Sequence, residues 1–142
     1  MQLGIIGLGR MGGNMAQRLL GAGHKVIVYD RDQNTIHTAV EHGANISTGP
    51  ADMVSQLSTP RAVWIMLPSG KVTEDGVDEL LGLLSPGDTL IDGGNSNYKD
   101  SIRRSQKAAG FGVDFLDAGT SGGIWRLQEG YALMVGSDKT AY

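Results

Sequence analysis

The sequence Gly7-Leu8-Gly9-Arg10-Met11-Gly12, which has the form G-x-G-x-x-G, constrains this chain more than any other feature. The apolar segment Leu3–Ile6 comes directly before it, and Met11, Met15 and Leu19 follow at the spacing of one helix face. Glycine permits a sharp turn and a close approach of neighbouring backbones. The pattern therefore predicts a strand, a glycine-rich turn and a helix in direct succession.

The same alternation of strands and helices continues along the chain. Further buried strands are predicted at Val26–Tyr29, Ala62–Leu67, Thr89–Ile91 and Val113–Leu116, with Tyr131–Val135 as a last candidate. Helical patterns lie between them. Apolar residues recur at helical spacing around Ile36, Met53 and Val77, and Ser96 or Asn97 could cap a further helix that carries Tyr98 and Ile102 and ends at Ala108–Ala109. Such alternation predicts an α/β fold, a doubly wound parallel sheet of the Rossmann type. A length of 142 residues fits one domain, which we place at residues 1–142.

In this context the glycine loop predicts a dinucleotide-binding site, because the helix that follows it directs its N-terminus at a pyrophosphate. The second strand is followed by Asp30, which stands 18 residues after Gly12. An acidic side chain at about this separation can bind the hydroxyls of the adenosine ribose. Asp30 favours NAD, because a carboxylate repels the 2′-phosphate of NADP. The neighbouring Arg31 could pair with that phosphate, so NADP stays open while we favour NAD.

Small and polar residues also follow the later strands. These segments are Met66–Gly70, Asp92–Ser96 and Asp117–Gly123. Because ligands of a doubly wound sheet bind beyond the carboxyl ends of the strands, the three segments should share one binding edge. Asn95 and Ser121 can supply directed hydrogen bonds there. Asp92 and Asp117 are expected to cap nearby backbone N–H groups.

Four motifs together resemble the β-hydroxyacid dehydrogenases and, within that superfamily, the 6-phosphogluconate dehydrogenase family. They are Gly7–Ala16, Met66–Pro68, Asp92–Ser96 and Asp117–Trp125. The last is similar to the shorter, often NAD-preferring branch of the family. The resemblance implies an oxidoreductase that converts 6-phosphogluconate to ribulose 5-phosphate and CO2 with reduction of NAD(P), in the pentose phosphate pathway or in gluconate utilization.

The resemblance also implies roles for individual residues. The implied cofactor contacts are Gly7, Leu8, Gly9, Arg10, Met11, Gly12, Asp30, Arg31, Met66, Leu67, Pro68 and Asn95. The implied contacts to the sugar-acid phosphate substrate are Asn95, Ser121, Gly122 and Gly123. The family's Lys base and Glu acid lie in a second, all-α domain that would follow Tyr142, so no catalytic residue is assigned to this chain. The resemblance further implies a homodimer for the full-length protein.

Composition argues against several other classes of function. The net charge of −3 is accompanied by no basic cluster, so neither nucleic acid nor an anionic membrane surface is an expected partner. The chain has no cysteine, which excludes zinc–sulfur sites, and we predict no metal site. Its start lacks a basic n-region, and no apolar run approaches the ~20 residues of a membrane span, so we expect a cytoplasmic protein.

Two alternatives to the 6-phosphogluconate dehydrogenase assignment remain. One is a 3-hydroxyisobutyrate-type β-hydroxyacid dehydrogenase, although such enzymes resemble Asp-x-Ser-Thr where this chain has Asp92–Asn95. The other is a nucleotide-binding module without catalysis. No side chain is a convincing general base for hydride transfer, since His24, His37 and His42 lie outside the predicted loops. Lys71 is closest to them, but we expect it to be a solvated side chain in the first turn of a helix.

Overall fold

The computed structural model describes residues 1–94, 96–121 and 132–136, and for residues 119–121 and 132–136 it describes the backbone alone. Strands and helices alternate along the chain. In order they are β1 (Gln2–Ile6), α1 (Arg10–Gly21), β2 (Lys25–Tyr29), α2 (Gln33–Glu41), β3 (Asn45–Ile46), α3 (Pro50–Gln56), β4 (Ala62–Ile65), α4 (Lys71–Leu81), β5 (Thr89–Asp92), α5 (Tyr98–Gly110), β6 (Asp114–Ser121) and β7 (Ala132–Gly136).

The strands form one sheet in the order β3-β2-β1-β4-β5-β6-β7. Every pairing from β3 to β6 is parallel, and β7 lies antiparallel to β6 at the edge. The predicted doubly wound α/β fold is therefore confirmed, with one antiparallel strand added to it. The strand order reverses between β1 and β4, and in sheets of this kind ligands bind at the carboxyl ends beside that reversal.

Helices cover both faces of the sheet because successive strand residues point to opposite sides. Ile5 packs in the same core cluster as Ala16 of α1 and Ile36 of α2. The next residue, Ile6, belongs to the opposite cluster, which contains Leu80 of α4 and residues of α3 and α5. Strands that are buried on both faces consist of continuous apolar residues, which is why short apolar runs identified them in the sequence.

Two predicted strand boundaries differ from the structure by more than one residue. Strand β4 ends at Ile65 rather than Leu67, ahead of Pro68, which lacks the N–H group that a ladder requires. Strand β6 continues to Ser121 rather than ending at Leu116. The expectation that Asp117–Ser121 form a loop is therefore wrong. This stretch pairs with the antiparallel β7, from Asp117 opposite Gly136 to Ser121 opposite Ala132.

The edge strand β3 was not predicted. It has only two residues, and Asn45 and Ile46 are both exposed, so they carry no burial pattern that a sequence could reveal. The last predicted strand, Tyr131–Val135, is present as β7 one residue later. At the start of α5, the side chain of Asn97 accepts a hydrogen bond of 2.9 Å from the Lys99 N–H and caps the helix.

Candidate nucleotide-binding site

In the turn from β1 into α1, the glycine backbone lies very close to other backbone atoms. Gly7 has a φ of 96°, and a Cβ there would lie 2.4 Å from the Met66 carbonyl oxygen. A Cβ on Gly12 would lie 2.0 Å from the carbonyl oxygen of Gly7. Real Cβ atoms do not approach backbone atoms so closely, so both positions require glycine for the fold itself. The first and third glycines therefore set the packing of α1 against the end of β1.

Gly9 differs from these two residues, because a Cβ built on it meets no atom within 4 Å. It is the N-cap residue of α1, and no side chain caps the helix there. The first turn of α1 also contains no acidic residue. The first N–H groups of a helix lack partners within the helix, and they bind anions when no side chain satisfies them. This helix start therefore fits a pyrophosphate.

Asp30 follows β2 directly and faces the glycine loop. Its carboxylate accepts hydrogen bonds from the N–H groups of Leu8 and, at 2.8 Å, of Asp32. A carboxylate offers about four acceptor positions, so two N–H donors leave it able to accept ribose hydroxyls as well. Asp30 thus also holds the glycine loop to the end of β2, a role that the sequence did not reveal.

A cavity of about 290 Å³ lies beside the point where the strand order reverses. Ile6, Tyr29 and Ile65 contribute the ends of β1, β2 and β4, and α4 forms the opposite wall. Val72 adds apolar surface, whereas the charged residues that line the cavity are Arg31, Asp75 and Glu79. An apolar cavity with a few charged groups on its wall suits an aromatic base attached to a polar sugar.

The segments after β4 and β5 are in direct contact. A Cβ on Gly94 would lie 2.7 Å from the carbonyl oxygen of Leu67. On the adjacent Gly93 it would lie 2.0 Å from the indole nitrogen of Trp64 and 2.4 Å from the sulfur of Met66. Gly93 and Gly94 therefore let the chain that follows β5 pack against Met66 and Leu67. Since Gly7 also contacts Met66, three loops converge at one edge of the sheet.

Asp92 ends β5 as a fully buried carboxylate. It accepts hydrogen bonds of 2.9 Å from the Gly94 N–H and 2.6 Å from the Ser96 hydroxyl, which confirms that it caps a backbone N–H group. Burial raises the pKa of Asp92 and outweighs the lowering by these bonds, and the charge of nearby Asp117 raises the pKa further. The carboxylate thus anchors the start of segment 92–96.

A group of charged side chains joins α4 to α5. Glu74 accepts hydrogen bonds from Arg103 and Arg104, both at 2.9 Å, and from Lys107 at 3.1 Å. Burial alone would raise the pKa of Glu74, but the hydrogen bonds from Arg104 and Lys107 and the charge of Arg103 lower it to about 2. Glu74 is therefore ionised at every pH at which the protein would be used.

Sequence reasoning missed this group. Glu74 and Arg104 are 30 residues apart, and each looks like an ordinary surface charge on a helix. The helix buries the face that carries Ser101, Arg104 and Ala108, whereas Ile102, the apolar residue that the sequence emphasised, is 54% exposed. The spacing of Arg104 from Ala108 was the available signal. An arginine on the apolar face of a helix indicates a buried ion pair.

The structure separates the predicted site residues into three sets. It brings together the glycine loop, Asp30, Arg31 and the segment Met66–Pro68 at the carboxyl edge of the sheet. It places the backbone of Ser121 in β6, opposite Ala132. The predicted contacts Asn95, Gly122 and Gly123 lie outside the described residues.

The described residues do not provide a convincing general base. His37 and His42 are exposed on and just after α2, and His24 precedes β2 at the opposite edge of the sheet. The Lys71 side chain is 86% exposed and forms a 3.2 Å ion pair with Asp75, which confirms that it is a solvated first-turn residue. Among the helices described, none is long and apolar enough to cross a membrane.

Comparison with known proteins agrees with this geometry. Residues 2–142 match the family model described as the NAD binding domain of 6-phosphogluconate dehydrogenase. The chain belongs to this family. It is an NAD-binding domain of the Rossmann type, and the family resemblance drawn from its motifs is confirmed.

Individual relatives show how much of a longer protein the chain represents. It is 39% identical over 142 residues to the NAD(+)-dependent, decarboxylating 6-phosphogluconate dehydrogenase of Haloferax volcanii, and covers 46% of that protein. The solved 6-phosphogluconate dehydrogenase of Plasmodium falciparum is 30% identical, with a TM-score of 0.91, and the chain covers 32% of it. The 3-hydroxyisobutyrate dehydrogenase of Mycobacterium tuberculosis is also 30% identical, with a TM-score of 0.88 and 47% coverage. The chain thus spans less than half the length of these three relatives.

Proposed function

We propose that this chain supplies the cofactor-binding domain of an enzyme that oxidises and decarboxylates 6-phosphogluconate to ribulose 5-phosphate and CO2. The observation that carries the proposal is the pair of contacting segments at the sheet edge, 66–70 and 92–96, beside an uncapped helix start. The second segment has the sequence Asp92-Gly93-Gly94-Asn95-Ser96, which resembles the 6-phosphogluconate dehydrogenase family rather than the Asp-x-Ser-Thr motif of other β-hydroxyacid dehydrogenases.

In the proposed reaction, the residues of this chain bind and orient the cofactor and the substrate. The N–H groups at the start of α1 hold the pyrophosphate, and Asp30 holds the ribose. A bound NAD would supply the hydride acceptor for the oxidation at C3 of the substrate, after which the 3-keto acid loses CO2. The segment Met66–Pro68 would border the nicotinamide, Asn95 would contact both nicotinamide and substrate, and Ser121, Gly122 and Gly123 would hold the sugar acid. The proton is transferred by groups outside this chain, on a second, all-α domain.

We propose NAD rather than NADP as the preferred cofactor. Asp75 and Glu79 line the same cavity as Arg31, and the Asp30 carboxylate lies at the end of the adjacent strand β2. Asp75 is paired with Lys71 at 3.2 Å, so Asp30 and Glu79 are the carboxylates that disfavour the additional phosphate of NADP, by repulsion between like charges. Arg31 alone would favour that phosphate. The excess of negative charge supports NAD, the preference that Asp30 indicates by itself.

The test measures reduced nicotinamide and CO2 together, with 6-phosphogluconate and with 3-hydroxyisobutyrate as substrates. We expect the product of the complete reading frame to release one CO2 for each NADH when given 6-phosphogluconate. The 142-residue chain should bind NADH without turnover, because general acid–base catalysis contributes about 10²–10⁴-fold in rate. Oxidation of 3-hydroxyisobutyrate without CO2 release would contradict the proposal and favour the other branch of the superfamily.

A further inference from the structure

Arg104 is the largest fully buried side chain among the described residues, with 1% of its surface exposed. A buried guanidinium is costly unless other groups satisfy its charge and its N–H donors. Replacing such a group by an apolar residue of similar volume is often neutral or stabilising. Fold stability by itself therefore does not account for an arginine at this position of α5.

The guanidinium of Arg104 contacts two loops and one helix. Its Nε donates to Glu74 at 2.9 Å, in the first turn of α4. Its Nη1 donates to the Ser96 hydroxyl at 3.2 Å and lies 3.6 Å from the Asp92 carboxylate. Its Nη2 donates to the Gly70 carbonyl at 3.4 Å. One planar group with donors in a fixed fork thus links the end of segment 66–70 to the end of segment 92–96.

Among the described residues, a backbone hydrogen bond from the Gly93 N–H to the Ile65 carbonyl, 2.8 Å long, ties the start of the later segment to the end of β4. Gly94 abuts the carbonyl oxygen of Leu67, and no hydrogen bond between these two residues supports the contact. Thr73 holds segment 66–70 from its own side by donating to the Pro68 carbonyl at 2.7 Å. Asp92 holds the start of the other segment by accepting hydrogen bonds from the Gly94 N–H and the Ser96 hydroxyl. Of the described side chains, Arg104 donates hydrogen bonds to both segments, at Ser96 and at Gly70.

We propose that Arg104 is a positioning residue that fixes segment 66–70 relative to segment 92–96, and so sets the nicotinamide end of the site. This inference rests on the proposed function, which assigns the two segments to the nicotinamide and the substrate. The proposed role belongs to Arg104 and not to its neighbour Arg103, although both bind the carboxylate of Glu74. Arg103 is 52% exposed, and besides Glu74 it pairs with Asp100 on its own helix. It therefore neutralises Glu74 without touching either loop.

The experiment compares Arg104→Lys and Arg104→Met with the matched control Arg103→Met, all in the 142-residue chain. The lysine variant keeps the charge and loses the fork, so it is informative even if the methionine variant fails to fold. Hydrogen exchange is followed at the amides of Gly94 and Glu74, whose bonds lie on either side of Arg104. The internal reference is the amide of Ser47, which donates to the Val28 carbonyl at the β2–β3 edge of the sheet, away from Arg104.

We expect exchange at Gly94 and Glu74 to become about tenfold faster or more in Arg104→Lys, because hydrogen bonds to a charged group contribute this much or more. Ser47 should not change, and Arg103→Met should resemble the parent chain at Gly94. Unchanged exchange at Gly94 in both Arg104 variants, or an equal change in Arg103→Met, would overturn the proposal.

A second readout uses ADP-ribose, which has the adenosine and both phosphates of NAD but no nicotinamide. Arg104→Lys should bind ADP-ribose within about twofold of the parent chain and lose several-fold in affinity for NADH. A purely structural defect would weaken both ligands equally, and that result would contradict a positioning role. If the parent chain binds neither ligand, the proposed function fails, and the exchange at Gly94 still decides whether Arg104 couples the two segments.

Discussion

Replacing Gly9 with alanine separates the role of the glycine loop in folding from its role in binding. Gly9 has a φ of −59° and a ψ of −173°, which an alanine adopts without strain. The added Cβ would have no neighbour within 4 Å, so the folded chain has space for it. If a pyrophosphate approaches the backbone at this point, the same methyl group occupies the space that the phosphate needs.

We expect Gly9→Ala to raise the stability of the fold and to lower the affinity for the nucleotide. An alanine at a conformationally compatible glycine stabilises a protein by about 0.4–1 kcal/mol, because the unfolded chain loses freedom. Overfilling a packed contact costs about 1–3 kcal/mol, which at the bound nucleotide corresponds to about 5- to 150-fold weaker binding. Gly9→Ala should therefore melt at or slightly above the temperature of the parent chain while binding NADH less tightly.

Two other alanine variants serve as controls in the same thermal and calorimetric measurements. Gly21→Ala also adds a methyl group in open space, but at the far end of α1, so it should stabilise the chain by a similar amount and leave binding unchanged. Gly12→Ala places its Cβ 2.0 Å from the Gly7 carbonyl oxygen and should lower both. An NADH affinity of Gly9→Ala within about twofold of the parent would refute the reasoning, since steric exclusion predicts at least about fivefold.

Three further predictions concern carboxylates. Asp30→Ala should weaken NADH binding and reduce the preference for NADH over NADPH, because the Leu8 N–H loses its acceptor and the ribose loses its partner. Calorimetric titrations measure both affinities, and an unchanged preference would contradict the assignment. Glu74 has its pKa lowered from 4.5 to about 2, so the stabilisation that its ion pairs contribute is complete above about pH 5 and lost as the pH falls towards 2. Urea unfolding of Glu74→Gln should therefore show a smaller loss of stability over that range than the parent, and parallel curves would exclude this role. Asp88→Ala should cost about 3 kcal/mol or more in unfolding free energy while leaving NADH affinity unchanged, because that buried carboxylate pairs with Arg61 at the opposite edge of the sheet.

The fold could be predicted because its determinants are local in sequence. Strands buried on both faces are apolar throughout, and the segment from Leu3 to Gly12 contains a strand, a turn and a helix start within ten residues. What escaped prediction depends on partners distant in sequence. Residues 117–121 are a strand because the antiparallel β7 pairs with them, and nothing within that stretch specifies this pairing.

In the candidate site, too, the features that are local in sequence could be predicted and the long-range contacts could not. The glycine loop and Asp30 could be predicted because their spacing follows from the geometry of one βαβ unit. The bond from the Leu8 N–H to Asp30 could not, because it depends on how closely the end of β2 lies to the loop. Arg104 contacts residues up to 34 positions away, and only the folded chain shows that a cation on the buried face of α5 meets two loops.

The central claim is that the loop Gly7–Gly12 and the adjoining cavity bind a dinucleotide. Isothermal titration of the 142-residue chain with NADH, and in parallel with NADPH, tests it most directly. The structure predicts saturable binding of one NADH per chain, tighter than that of NADPH. Tighter binding of NADPH would show that Arg31 governs the cofactor preference. The absence of saturable binding of either nucleotide by the folded chain would contradict the central claim.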